Sequence, residues 1–241
     1  MKAENLFIII FITIQFTILA QEETKEHEWE IGIHFSPDYA YRSLSYQAGN
    51  NLSSFLLNKR DSLEVSDFRF TTGLSFRYRL SKRFFLETGL YYSSKGFQTQ
   101  WVDSFISLQT SDPFIPEKSK TRDQFHYLEV PLKAYFMVYQ KERFQLFVAP
   151  AIISSYLISY DYTVFYQYSN RLETKEIATN ENFNYFNFNY SISAGINYTI
   201  SKRSKFQFEP TFRKSINSVI DAPIKARLWS LGLNFGFYLS I

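Results

Sequence analysis

The last residues of the chain alternate without a break. Trp229, Leu231, Leu233, Phe235, Phe237, Leu239 and Ile241 occupy one parity, and Ser230, Gly232, Asn234, Gly236, Tyr238 and Ser240 the other. A strand points successive side chains to opposite faces, so this segment carries one apolar and one polar face. Seven further segments show the same period of two. The first, residues 29–36, sets Trp29, Ile31, Ile33 and Phe35 on one side. The second, 68–80, sets Phe68, Phe70, Leu74, Phe76, Tyr78 and Leu80 outward against Arg69, Gly73, Ser75, Arg77 and Arg79. A third covers 84–101. The fourth, 124–139, places His126, Leu128, Val130, Leu132, Ala134, Phe136 and Val138 opposite Tyr127, Glu129, Lys133 and Tyr135. The fifth, 144–160, is apolar on both faces from Ala149 to Ile153, which predicts a bulge or a locally apolar inner face. The sixth and seventh, 183–200 and 205–213, alternate clearly.

The connections alternate in length. Short polar turns fall at Ser81–Arg83, Gln140–Arg143 and Ser201–Ser204. Long polar stretches fall at Pro37–Asp67, Val102–Asp123, Asp161–Asn182 and Lys214–Ala226. Outer-membrane barrels have short periplasmic turns and longer extracellular loops. With both termini on the short-turn side the strand number is even. The pattern therefore predicts an all-β fold: an eight-stranded antiparallel up-and-down transmembrane β-barrel, with ten strands as the alternative count. Pro113, Pro116 and Pro223 fall in the long connections, where no ladder bond is lost; Pro131 and Pro210 fall within strands, and a bulge is expected at each.

Three features bear on location. Residues 1–20 read as a cleaved secretory signal: Lys2, a short apolar run from Leu6 to Leu19, then Ala20 before a polar start. A polar segment, 21–28, and a barrel domain, 29–241, would follow. The chain contains no Cys, so the leader is no lipoprotein signal, and disulfides and thiolate metal sites are excluded. Aromatics reach 20%, an excess that interfacial girdles explain. A mean hydropathy of −0.23 agrees with a barrel, in which only alternate strand residues meet lipid. The net charge of +3 is too mild to suggest nucleic acid.

One stretch carries a resemblance. Tyr127-Leu128-Glu129-Val130-Pro131-Leu132-Lys133 resembles the Tyr-Leu-Glu-Ile-Pro-Leu signature of PorT-like outer-membrane β-barrel proteins of Bacteroidota. Glu87 to Gly96, with its Ser-Lys-Gly ending, and Phe208-Glu209-Pro210-Thr211-Phe212 resemble other strands of that family. The resemblance implies an outer-membrane location and an eight-stranded barrel. It implies no single activity; some relatives act in protein secretion.

The candidate chemistry is mostly interior. Arg69, Arg77, Arg79, Glu87, Lys95, Glu129, Lys133, Glu209 and Arg213 share the inward parity. Eight strands enclose just enough space for side chains to fill, and buried charges must pair, so these nine residues are expected to form a structural ion-pair network. Glu129, with Lys133 four residues on, and Glu209 are its expected anions. Catalysis finds little support. His27 lies in the charged N-terminal stretch, His34 is expected inward and His126 outward near the loop-side rim. No spacing places a carboxylate or Ser beside either, so no catalytic, cofactor-binding or metal residues are assigned, and no cofactor is expected. The long connections are rich in aromatics, among them Tyr39, Tyr41, Tyr46, Phe55, Tyr160, Tyr162, Phe165, Tyr166 and Tyr168. They suggest either a binding surface or strand extensions packed together. The expectation is a monomeric, non-enzymatic barrel with a filled lumen, contacting outer-membrane lipid and a protein partner through its loops. A small-solute channel, a secretion accessory or a rim-active hydrolase are the alternatives.

Overall fold

The computed structural model describes residues 29–46, 51–104, 114–177, 183–220, 222 and 224–241. The leader, the 21–28 segment with His27, and Pro113 and Pro223 lie outside these residues. Among the described residues there are ten strands and one helix: β1 (Trp29–Tyr46), α1 (Asn51–Leu63), β2 (Glu64–Arg79), β3 (Phe84–Thr99), β4 (Val102–Asp103), β5 (Lys118–Lys141), β6 (Phe144–Gln167), β7 (Leu172–Ile177), β8 (Phe186–Thr199), β9 (Ser204–Ser215) and β10 (Ile224–Ser240). Eight of them close a ring of antiparallel pairs in the order β1-β2-β3-β5-β6-β8-β9-β10, with β10 back on β1. The two short strands add to the outer ends of β5 and β6. At the seam the amide of Ile241 donates to the Trp29 carbonyl at 3.0 Å, so both ends of the ring meet at the short-turn side.

The ring is sheared. From Phe35, paired positions lead through Thr72, Tyr92 and Leu128 to Tyr156 on β6. In the other direction they lead through Phe235, Phe208 and Ile196 to Leu146, ten positions earlier on the same strand. Such an offset requires strongly tilted strands, roughly 35–45° from the barrel axis. Burial follows the alternation closely: Ile33, Leu74, Leu132, Ile152, Ile192 and Leu233 are exposed, while their neighbours His34, Ser75, Lys133, Ala151, Ser193 and Asn234 are buried. Aromatic pairs bound the apolar band. Trp29–Tyr78 (4.6 Å between rings), Phe84–Phe136 (5.0 Å) and Phe144–Tyr198 (5.0 Å) ring the short-turn end. Tyr39–Phe68 (5.7 Å), Tyr41–Trp229 (5.9 Å) and Tyr156–Phe186 (5.0 Å) ring the other.

The structure corrects the expected loops. Pro37–Asp67 is not a loop: β1 continues to Tyr46 and α1 fills most of the rest. Likewise β5 begins at Lys118, β6 runs to Gln167 and β7 occupies part of the third connection. Above the membrane no hydrocarbon demands an apolar face, so the alternation fades while the backbone ladder continues. The fifth segment resolves to the second of its two expectations. Its register is unbroken from Ala149 to Ile153, and Ala149, Ala151 and Ile153 line a locally apolar inner face.

The bulges expected at Pro131 and Pro210 are absent. Beside Pro131 the β3–β5 ladder skips from Leu132 to Glu129, and beside Pro210 the β8–β9 ladder skips from Thr211 to Phe208, both without a change of register. Pro37 and Pro150 behave the same way. A proline lacks one donor and so loosens the ladder on one side only; it inserts no residue. The true register shifts lie at Ser66/Thr71, His126/Tyr127 and Met137/Tyr139.

Candidate functional site

The lumen is filled in layers. At the short-turn mouth Glu30 binds Lys205 and lies 3.4 Å from Arg77. Arg77 is fully enclosed. Its guanidinium donates to Glu87 at 2.9 and 3.1 Å and to Gln207 at 2.7 Å, between the rings of Tyr135 (4.0 Å) and Tyr238 (3.9 Å). The hydroxyls of Tyr238 (2.7 Å), Tyr135 (3.1 Å) and Tyr91 (3.2 Å) donate to Glu87. Higher up, Lys133 pairs with Glu209, which also accepts from Ser193, Gln207 (2.6 Å) and Asn234 (2.9 Å). His34 bridges the two groups through the Tyr238 hydroxyl (3.0 Å) and Asn234 (3.3 Å), and it also meets Ser75 (2.7 Å). Arg213 donates to Asp38 at 2.8 Å, and Asp38 accepts from Ser36 and Thr71, both at 2.6 Å. Lys95 donates to Glu129 at 2.5 Å, beside Ser155 at 2.8 Å.

Apolar layers bound this polar stack. Phe85, Tyr135, Met137, Phe147 and Ala149 pack together inside β3, β5 and β6 toward the short turns. Phe97, Phe125, Tyr127, Leu157, Val219, Ala226 and Leu228 form a second cluster at the opposite end, with Tyr41, Leu44, Tyr160 and Phe183 against it. Beyond it Arg42 pairs with Asp61 (2.7 Å) and Glu64 (2.6 Å), tying the end of α1 to the barrel wall.

Seven of the nine expected lumen residues, Arg77, Glu87, Lys95, Glu129, Lys133, Glu209 and Arg213, lie in this stack. Arg69 does not: it sits at the far end of β2, 2.6 Å from Asp67, which also meets Arg122 at 3.1 Å. Arg79 lies over Phe85, 5.3 Å from its ring, near the short-turn mouth. Glu129 and Glu209 take Lys95 and Lys133 as their respective cations. Glu30, Tyr135, Gln207 and Tyr238 were missed as network members although their parity placed each of them inward, and Asp38 was missed because it fell in an expected loop that β1 in fact runs through.

The fold brings together one pair that spacing does not show. A His beside a carboxylate does stand at the rim: His126 Nε2 lies 2.9 Å from Asp161 Oδ2, and Nδ1 meets the Tyr92 hydroxyl. The bulge opposite His126 makes the contact possible. His126 pairs with Ser159 but Tyr127 pairs with Leu157, leaving Ile158 as an extra residue. Parity on β6 therefore reverses, which turns Tyr160 inward against Phe125 and Asp161 outward beside His126. Sequence spacing carries no sign of that extra residue.

The profile of the family described as Outer membrane protein beta-barrel domain matches residues 19–221. The chain belongs to this family. Its place is the outer membrane. No curated protein matches the sequence. Solved structures similar to this barrel include Neisserial surface protein A (9% identity, 88% of this chain and 97% of that one, TM-score 0.44). OprG from Pseudomonas aeruginosa is another (12% identity, 91% and 100%, TM-score 0.46). A third is the outer membrane protease OmpT from Escherichia coli (9% identity, 92% and 100%, TM-score 0.45). Among the described residues no group of three or more His, Cys, Asp or Glu could hold a metal ion.

Proposed function

We propose that this outer-membrane barrel is a non-enzymatic, monomeric anchor of PorT-like type, whose function lies in the strand extensions beyond the membrane. The observation that carries this reading is the double closure of the lumen, by a paired-charge stack at mid-barrel and by the apolar cluster around Phe125 and Leu228 above it. A lumen filled in this way leaves no solute path. What remains available is the extracellular part: α1, the upper ends of β5 and β6, and β7, whose six residues are all exposed. A protein partner docking on this part fits its Tyr-rich composition.

The test has two arms. Planar-bilayer recordings of the purified protein should show no large steady conductance; a large steady conductance would replace this reading with a channel. Replacing residues 162–177 by a short Gly-Ser turn should leave the barrel folded, with the usual boiled-versus-unboiled gel shift, yet abolish whatever phenotype the full deletion loses. If the trimmed barrel keeps every such phenotype, extracellular docking is wrong. The His126–Asp161 contact favours a second reading, a rim hydrolase, which would show as hydrolytic activity lost on His126→Ala alone.

A further inference from the structure

The lipid-facing wall is not uniform. Across β1, β2, β3, β5, β9 and β10 it holds a cleft of about 680 Å³, lined by Ile33, Phe35, Leu74, Leu90 and Phe237 and reaching Tyr92 and Leu128. Thr72 makes the room. Its short side chain stands among these larger ones and turns back to donate to the His34 carbonyl at 2.7 Å. The cleft runs from Phe206 and Phe237 on the short-turn side to Tyr92 and Leu128 toward the extracellular girdle. At that end the wall stops being apolar. Tyr92, His126 and Asp161, on the adjacent strands β3, β5 and β6, form one hydrogen-bonded row on the outer face. The His126 ring stacks on Tyr92 with centroids 5.8 Å apart, and its side chain is only 13% exposed. The row ends in a carboxylate, since the Asp161 side chain is 52% exposed.

We propose that this is a binding site for a single outer-leaflet lipid whose headgroup carries a primary amine. The acyl chain lies in the cleft below Tyr92, and the ammonium pairs with Asp161. The chemistry of the two ends decides the occupant. An apolar slot on a face already bathed in hydrocarbon selects for an acyl chain. A half-exposed carboxylate at the membrane–water interface selects for a cation that hydrogen-bonds, and it disfavours an anionic headgroup. His126 holds Asp161 in place from below, and the bulge at Ile158 brings that carboxylate to the outer face as it turns Tyr160 inward.

Native mass spectrometry of the full barrel, released from vesicles of equal parts phosphatidylethanolamine and phosphatidylglycerol, tests this. Wild type should retain phosphatidylethanolamine at least about fivefold over phosphatidylglycerol, a difference of roughly 1 kcal/mol. Asp161→Asn should bring the ratio close to one while keeping the gel shift of a folded barrel. Thr72→Phe, which fills the cleft, should lower retention of both lipids. Equal retention by wild type, a preference for phosphatidylglycerol, or an unchanged ratio in Asp161→Asn would each overturn the proposal. So would release of lysolipid or free fatty acid, which would make the row a hydrolytic centre.

Discussion

At the level of single residues, the interior shows how charge is held inside a barrel. Arg77 is only 1% exposed, so two carboxylates, an amide and two ring faces take the place of solvent. Removing one member of such a group strands the others. Arg77→Met should cost about 3–5 kcal/mol in urea unfolding of the detergent-refolded barrel. Arg77→Lys should fall between it and wild type, because an ammonium cannot donate as a fork. A loss below about 1 kcal/mol, the value of an exposed pair, would show that the network is not structural. Gly232 is a second sensitive point. A Cβ there would stand 2.0 Å from Asp38 Oδ1 and 2.7 Å from the Arg213 guanidinium. Gly232→Ala should therefore cost about 1–3 kcal/mol by overpacking, read from the same unfolding curves. Parity in the sequence told which residues face inward, but not their partners. Glu129 and Lys133 share a face, yet four residues of strand separate them by about 13 Å. Lys95 on the neighbouring strand and Glu209 on the opposite side of the lumen come closer, and only the closed ring brings them there.

At the level of strands, the membrane-spanning part was legible and the rest was not, for one physical reason. Where hydrocarbon lies on one side, every second residue must be apolar, and this requirement is written from Trp229 to Leu239 without a gap. Above the girdle of Tyr39, Trp229 and Tyr156 the requirement ends, so β1, β5 and β6 continue through stretches that read as polar loops. The bulge at Ile158 was invisible because it lies where the pattern is already weakening. Leu233 tests the facing directly. It lies near mid-band, 47% exposed to what would be lipid, between the buried Gly232 and Asn234. Leu233→Arg should impair insertion by about 2–4 kcal/mol relative to Leu233→Ala, measured as the folded fraction in vesicles across a urea series. Equal folding of the two would mean that this face does not meet hydrocarbon.

At the level of the whole molecule, the proposed closure of the lumen places two barriers in series. Ions crossing the barrel would pass the charged stack around Arg77 and Glu209 and then the apolar cluster around Phe125 and Leu228. The two barriers differ in kind. The first is made of paired charges whose removal leaves a wetter, wider passage; the second excludes water because Phe97, Phe125, Tyr127 and Leu228 leave it nothing to bond. Barriers in series are governed by the tighter one, so opening one should leave the other in control. Phe125→Ala with Leu228→Ala should keep single-channel conductance at the low level of wild type, and so should Arg77→Ala alone. Combining all three changes should raise it clearly, provided the combined variant still shows the gel shift of a folded barrel. If either barrier, opened alone, already gives the full conductance, the lumen is closed at one level only and the other layer serves packing rather than exclusion.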